Sequence, residues 1–164
     1  MHPLPIISFS VDKAVISEGG EPQLYTFDLS EPAPEDGLTI RLLGQDSDRN
    51  TADPVPVPEL FNNIDFFDVE VVEENGSPVF EFTIIPGATS ANFGLAAPQD
   101  NLIEGDETFS LTVLNDDNYL IDPASVSTTT TIIEQELPIV AFNVDRTVIS
   151  EGEEQPQIYT LELN

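Results

Sequence analysis

Residues 5–19 read PIISFSVDKAVISEG and residues 138–152 read PIVAFNVDRTVISEG, so that ten of fifteen positions recur at an offset of 133. Up to Val11 and Val144 both stretches alternate apolar and polar side chains, the period of two imposed on a strand with one buried face. The likeness resumes with one extra residue where Gln23-Leu24-Tyr25-Thr26 meets Gln157-Ile158-Tyr159-Thr160. Self-similarity at a fixed spacing marks a repeat protein. The 164-residue chain therefore reads as one complete unit, residues 5–136, and the truncated start of a second, residues 138–164, taken from a longer array. Leu137-Pro138 is the expected junction.

The same alternation runs through the rest of the first unit. It predicts strands over residues 6–11, 24–29 with Tyr25, Phe27 and Leu29 inward, and 38–43 with Leu38, Ile40 and Leu42 inward. A hairpin follows over 66–72 and 79–85, turning at Asn75-Gly76, a strong signal for a tight β-turn. Further strands are expected over 91–97 with Phe93 and Leu95 inward, 108–114 with Phe109, Leu111 and Val113 inward, and 125–133. No stretch carries the helical period. Fourteen prolines gather in connections such as 31–37 and 53–58, because proline cannot donate to a ladder; the second stretch is expected to be an extended loop. Ten Phe, three Tyr and 40% hydrophobic residues supply a core. The fold class is all-β, an immunoglobulin-like antiparallel β-sandwich of about seven to eight strands.

Charge narrows the function. Thirty-one Asp and Glu face four Lys and Arg, a formal net charge of -27. Nucleic acid and anionic membrane surfaces are excluded as partners, since no Lys/Arg cluster exists to displace their counterions. No apolar run approaches the roughly 20 residues of a membrane span, and the opening Met1-His2-Pro3-Leu4-Pro5 lacks the features of a secretory signal. The absence of cysteine removes disulfides, thiolate sites and a Cys nucleophile. No G-x-S-x-G, H-E-x-x-H or P-loop sequence is present. Carboxylates on the loop tips of a small sandwich also lack the cleft that glycoside chemistry needs. The chain reads as non-enzymatic.

Where successive strands run antiparallel, the connections after the first, third and fifth strands share a pole with the end of the seventh. That pole collects Glu18 from the first connection, Asp46, Asp48 and Asp53 from the second, and Asp100, Glu104, Asp106 and Glu107 from the third; Glu134 and Glu136 arrive from the last strand. Like charges a few ångströms apart repel by about 4 kcal/mol per pair at an effective dielectric of 20, and Lys13, Arg41 and Arg49 are too few to offset them. A divalent cation is the natural counter-charge. Calcium takes six to eight oxygens in loose geometry, whereas magnesium demands a stricter octahedron. Zinc and copper sites lack ligands in a chain with no Cys and one His. Asp46-Ser47-Asp48-Arg49-Asn50 opens like an EF-hand loop, but Thr51 takes the place of its glycine and Val57 that of its glutamate. Solvated turn positions account equally for Asp106 and Glu107, and Glu18 also suits a turn before Gly19. Asp116, Asp117 and Asp122 fall at the other pole as turn residues.

Val15-Ile16-Ser17-Glu18-Gly19, Asn50-Thr51-Ala52, Ile64-Asp65-Phe66, Ile85-Pro86-Gly87 and Asp100-Asn101-Leu102-Ile103-Glu104-Gly105-Asp106-Glu107-Thr108-Phe109 resemble, in that order, the pattern of the Calx-β domain family. Members of that family are immunoglobulin-like sandwiches, found in tandem in sodium/calcium exchangers, where they sense calcium, and in extracellular adhesion and aggregation proteins. The resemblance implies Glu18, Asp100, Glu104 and Glu107 as side-chain calcium ligands, Leu102 as a backbone carbonyl ligand, and Asp46 or Asp48 as the acidic ligand on the connection that follows the strand at 38–43. Glu134 and Glu136 stand where calcium-binding members carry aspartates between domains, which implies that they bridge the junction. Gln99 and Gln135 depart from the pattern and imply fewer or weaker sites. The implied role is a calcium-binding structural or adhesive module of a surface or secreted, extracellular protein, with calcium stiffening the joint to neighbouring repeats. A calcium-sensing regulatory domain, or a repeat that has lost calcium and serves as a spacer, are the alternatives. Phe142, Val144, Tyr159, Leu161 and Leu163 of the second unit are expected to stay disordered or to self-associate through a sheet edge of another molecule.

Overall fold

Alternating burial turns the predicted segments into two facing layers. The computed structural model describes residues 3–46, 55–56, 65–99, 105–134, 139–152 and 156–163. Among them the strands are β1 (Ile6–Val11), β2 (Val15–Ser17), β3 (Gln23–Leu29), β4 (Leu38–Asp46), β5 (Val55–Pro56), β6 (Phe66–Glu74), β7 (Ser77–Ile84), β8 (Ser90–Ala96), β9 (Glu107–Val113), β10 (Leu120–Ile121), β11 (Ser127–Ile133), β12 (Val140–Val144) and β13 (Tyr159–Leu163). One sheet has the order β10-β1-β3-β8-β5 and the other β2-β11-β9-β4-β7-β6. The expected sandwich is thus the observed one, with three short strands, β2, β5 and β10, added to those read from the sequence. Val55–Pro56, inside the proline-rich stretch, pairs with Ala96 and Leu95 of β8.

Two of the added strands pair parallel. β1 lies along β10, and after residues 12–14 the chain crosses to the other sheet, where β2 runs beside β11 with Ile16 opposite Ile132. Thr131 donates its N–H to the Ala14 carbonyl at 2.9 Å, and Glu18 donates to that of Ile133 at 3.2 Å. The hairpin strands β6 and β7 both extend the second sheet beyond β4. Their turn places Asn75 at φ 54° and Gly76 at φ 78°, the doubly left-handed geometry that matches strand twist and that Asn-Gly tolerates best. On the outer face Arg41 of β4 bonds Glu81 of β7 at 3.0 Å and also pairs with Glu74 of β6. The Glu81 hydrogen bond and the charge of Glu74 raise the pKa of its guanidinium.

The layers close over an aromatic core. Phe9 stacks on Tyr25, Phe27 and Phe93 at 5.7, 5.0 and 6.3 Å, and Phe93 meets Phe82 across the gap at 4.5 Å. Each large side chain so buried contributes about 1.5–3 kcal/mol. Tyr119 is buried beside them; its hydroxyl donates to the Leu114 carbonyl at 2.6 Å and accepts the Arg41 N–H at 3.4 Å. Burial pushes its pKa up.

In the second copy the strands are ordered, and β12 and β13 pair with each other. Their register, Val140 with Leu163, Phe142 with Leu161 and Val144 with Tyr159, is that of Ile7 with Leu29, Phe9 with Phe27 and Val11 with Tyr25. Local bonds recur as well. Asp12 and Asp145 accept the N–H groups of Leu24 and Ile158, and Lys13 and Arg146 donate to the carbonyls of Pro22 and Pro156. Phe142 stacks on Tyr159 at 5.5 Å as Phe9 does on Tyr25. Pairing with a neighbour so near in sequence closes only a short loop, which costs little entropy.

Candidate metal centre

At one pole the inward side of three neighbouring strands changes from apolar to acidic. Burial alternates along β9 through Glu107, Phe109, Leu111 and Val113, so Glu107 holds a core position and is 6% exposed. Two residues beyond buried Ile16, and therefore on the same side of its strand, Glu18 is 7% exposed. Glu134 follows Ile132 by the same step and is half-buried. Register sets Glu107 level with Ile132 and Ile16, so that Glu18 and Glu134 stand one inward step beyond it toward the pole. Glu134 Oε2 also accepts the N–H of Gly105 at 3.0 Å.

The opposite sheet closes the mouth. Gly19, at φ 62°, donates its N–H to the Ala97 carbonyl at 2.9 Å, and a Cβ there would stand 3.0 Å from Cβ of Gln99. Glycine is therefore required twice over, for the left-handed backbone and for the close approach. Beneath the rim Ile16, Ala97 and Ile132 form a small apolar cluster of their own.

Near it, buried Gln23, Tyr25 and Thr130 form a closed ring. Gln23 Nε2 donates to the Tyr25 hydroxyl at 2.6 Å, Tyr25 lies 3.2 Å from Thr130 Oγ1, and Thr130 donates to Gln23 Oε1 at 2.8 Å. With the threonine proton committed to Gln23, Tyr25 is the donor to Thr130. Burial raises the Tyr25 pKa to about 12, against the lowering effect of the Thr130 bond. The ring was missed in the sequence. Its signal was Gln23 at the inward parity of Tyr25 and Phe27, repeated as Gln157 before Tyr159.

Of the sequence candidates, the structure brings Glu18, Glu107 and Glu134 to this pole. Asp46 ends β4 with its backbone in register with Phe109, two residues along β9 from Glu107. Asp48, Asp53, Asp100, Leu102, Glu104 and Glu136 lie outside the described residues, as do Asn50-Thr51-Ala52 and Gln135. Asp106 is exposed, as a solvated turn residue should be, whereas Glu107 is buried; Glu18 stands in the turn before Gly19 and is buried there as well. At the far pole Asp116 accepts the N–H of Asn118 at 2.9 Å. Asp122 accepts the N–H of Ala124 at 3.0 Å and the hydroxyl proton of Ser8 at 3.2 Å. The Ala124 bond leads in lowering the Asp122 pKa. Both are turn residues, as the sequence suggested.

Among the described residues no group of three or more His, Asp or Glu stands close enough together to hold a metal ion. The side chains that Glu18, Glu107 and Glu134 bring to this pole are carboxylates, the class of donor that suits a hard cation such as calcium. Among the described residues no helix is long and apolar enough to cross a membrane.

No family model and no curated protein matches the chain. Among solved structures it is similar to the apo form of the Calx CBD1 domain, at 12% identity and a TM-score of 0.44, over 82% of this chain and 100% of that one. It is also similar to a chain of the Coh-OlpC-Doc435 complex, a type I cohesin–dockerin complex from Clostridium thermocellum, at 14% identity and a TM-score of 0.41, over 82% and 99%. Likenesses at this level transfer no ligand or partner to this chain.

Proposed function

We propose that this β-sandwich is a calcium-binding structural or adhesive module of a tandem array on a surface or secreted protein. A cation at the acidic pole stiffens the joint with the next unit. The burial of Glu18 and Glu107 at core positions of the second sheet carries this reading. A chain with so many carboxylates has every opportunity to leave these two in water, and burying a charge is costly unless something compensates it. A bound cation would offset the like-charge repulsion of these two with Glu134 at the rim.

Glu18 and Glu107 would hold it with Glu134 at the rim. The loops leaving this pole would add Asp46 or Asp48, the Asp100 and Glu104 carboxylates and the Leu102 carbonyl, with Glu136 reaching toward the junction. Extracellular calcium modules work at about 10⁻⁴–10⁻³ M, a range that suits the glutamines at positions 99 and 135. Isothermal titration with calcium, paired with a thermal melt in chelator, tests the reading. Binding heat and a melting temperature raised by calcium are expected, since a ligand at 100 times its Kd adds about 2.7 kcal/mol. A chain that gives no heat and melts identically with and without calcium is a spacer instead.

A further inference from the structure

We propose that the outer edge of β6 is a docking site for an extended segment of another protein in which basic residues alternate with apolar ones. The segment adds a strand to the second sheet, held by main-chain bonds along its length and by side chains at alternate positions. Cation binding at the acidic pole plays no part in it.

Strand length and order make the edge. Among the described residues β6 is the last strand of its sheet, nine residues long, and pairs with β7 from Phe66 to Glu74. Such an edge presents a row of backbone donors and acceptors, which short strands, bulges or covering loops ordinarily blunt. Here the one register shift lies between Phe66 and Asp68, and the ladder is regular from there to Glu74. Val69 and Val71 pair with Phe82 and Phe80, and so lie on the core side of the sheet. They are nonetheless 39% and 60% exposed. An added strand with apolar residues beside them would cover them.

Charge selects the occupant. Four of the nine residues of β6 are acidic, whereas β11 has no acid and β9 only the buried Glu107. Arg41 takes Glu74, while Asp68, Glu70 and Glu73 stand exposed. A second copy of β6 laid alongside brings the two sets of acids together, and each chain carries a net charge of -27, so like-charge repulsion opposes self-pairing. The same residues favour lysine or arginine across the ladder. At the hairpin end Val71, Val72, Glu73, Gly76 and Pro78 line an open hollow of about 380 Å³. Its apolar walls suit the methylene stem of a lysine, with Glu73 at hand for the charge.

The whole chain, mixed in chelator with a labelled peptide of alternating lysine and valine as long as β6, tests this. Binding is read by fluorescence anisotropy and located by amide hydrogen exchange. Slowed exchange over residues 69–73 is expected, with an affinity that falls as salt is added. The same peptide methylated at alternate backbone nitrogens keeps its charge but cannot pair, and should lose at least about tenfold in affinity. A glutamate–valine peptide, and the lysine–valine peptide with the Glu70→Lys chain, should lose as much. Glu35→Lys, an equal change of charge in the connection from β3 to β4, should bind as the unaltered chain does. No binding, binding that the methylated or the glutamate peptide matches, protection elsewhere than β6, or an equal loss in Glu35→Lys overturns the proposal. So does a chain that sediments as a dimer which Glu70→Lys dissolves, since a second copy would then occupy the edge.

Discussion

Glu107 shows how a single side chain can be conspicuous only once its neighbours are known. It occupies the slot that alternation reserves for the core, and its burial separates it from the exposed Asp106 beside it. Replacing it by glutamine keeps the shape and removes the charge. Glu107→Gln is expected to fold normally and to lose at least about tenfold in calcium affinity, roughly 1.4 kcal/mol, read by titration calorimetry. Tyr25 offers a second measurement. Tyr25→Phe leaves Gln23 and Thr130 with an open ring, which should cost about 1–3 kcal/mol in urea denaturation. Because burial raises the Tyr25 pKa from 10.0 to about 12, its contribution is fully present below pH 10. It is lost as pH rises through about 12, and amounts to roughly 3 kcal/mol over that window. Alkaline denaturation of Tyr25→Phe should therefore be shallower between those values. Acidic residues at the pole were legible in the sequence because parity alone groups the connections. Which of them are buried was not, since that depends on the level at which β2 meets β11.

Elements were legible where they were long enough to show a period. The strands with buried alternation, such as β3, β4 and β9, appear where Tyr25, Leu38 and Phe109 announced them. The three-residue β2 and the two-residue β5 and β10 carry too few positions to display any period, and their pairing is set by tertiary contact. Val55–Pro56 was further obscured by its prolines, which favour edges and loops. The Asn75-Gly76 turn was read correctly because its dihedral demand is local. Gly76→Ala places a Cβ at φ 78° and should cost about 1 kcal/mol. The loss should appear as a lower denaturant midpoint with an unchanged slope, since β7 is bonded directly to β4 and unfolds with the whole.

Considered whole, the molecule bonds its first two strands into opposite layers. β1 belongs to one sheet and β2 to the other, and each is bonded to a parallel neighbour, β10 and β11. The repeat and the two layers were legible through an offset and an alternation, whereas the crossover left only the polar step at Asp12-Lys13 as a local trace. β2 is the early strand and β11 the late one, side by side and pointing the same way. Tension applied through the two ends of the unit therefore slides one along the other, and the Ala14 and Ile133 bonds are strained together instead of opening one by one. A single molecule stretched between residues 5 and 134 should rupture at a markedly higher pulling force than one stretched across the β6–β7 hairpin, where the ladder unzips from its tip. Thr131→Pro, which deletes the donor to Ala14, should remove much of that difference.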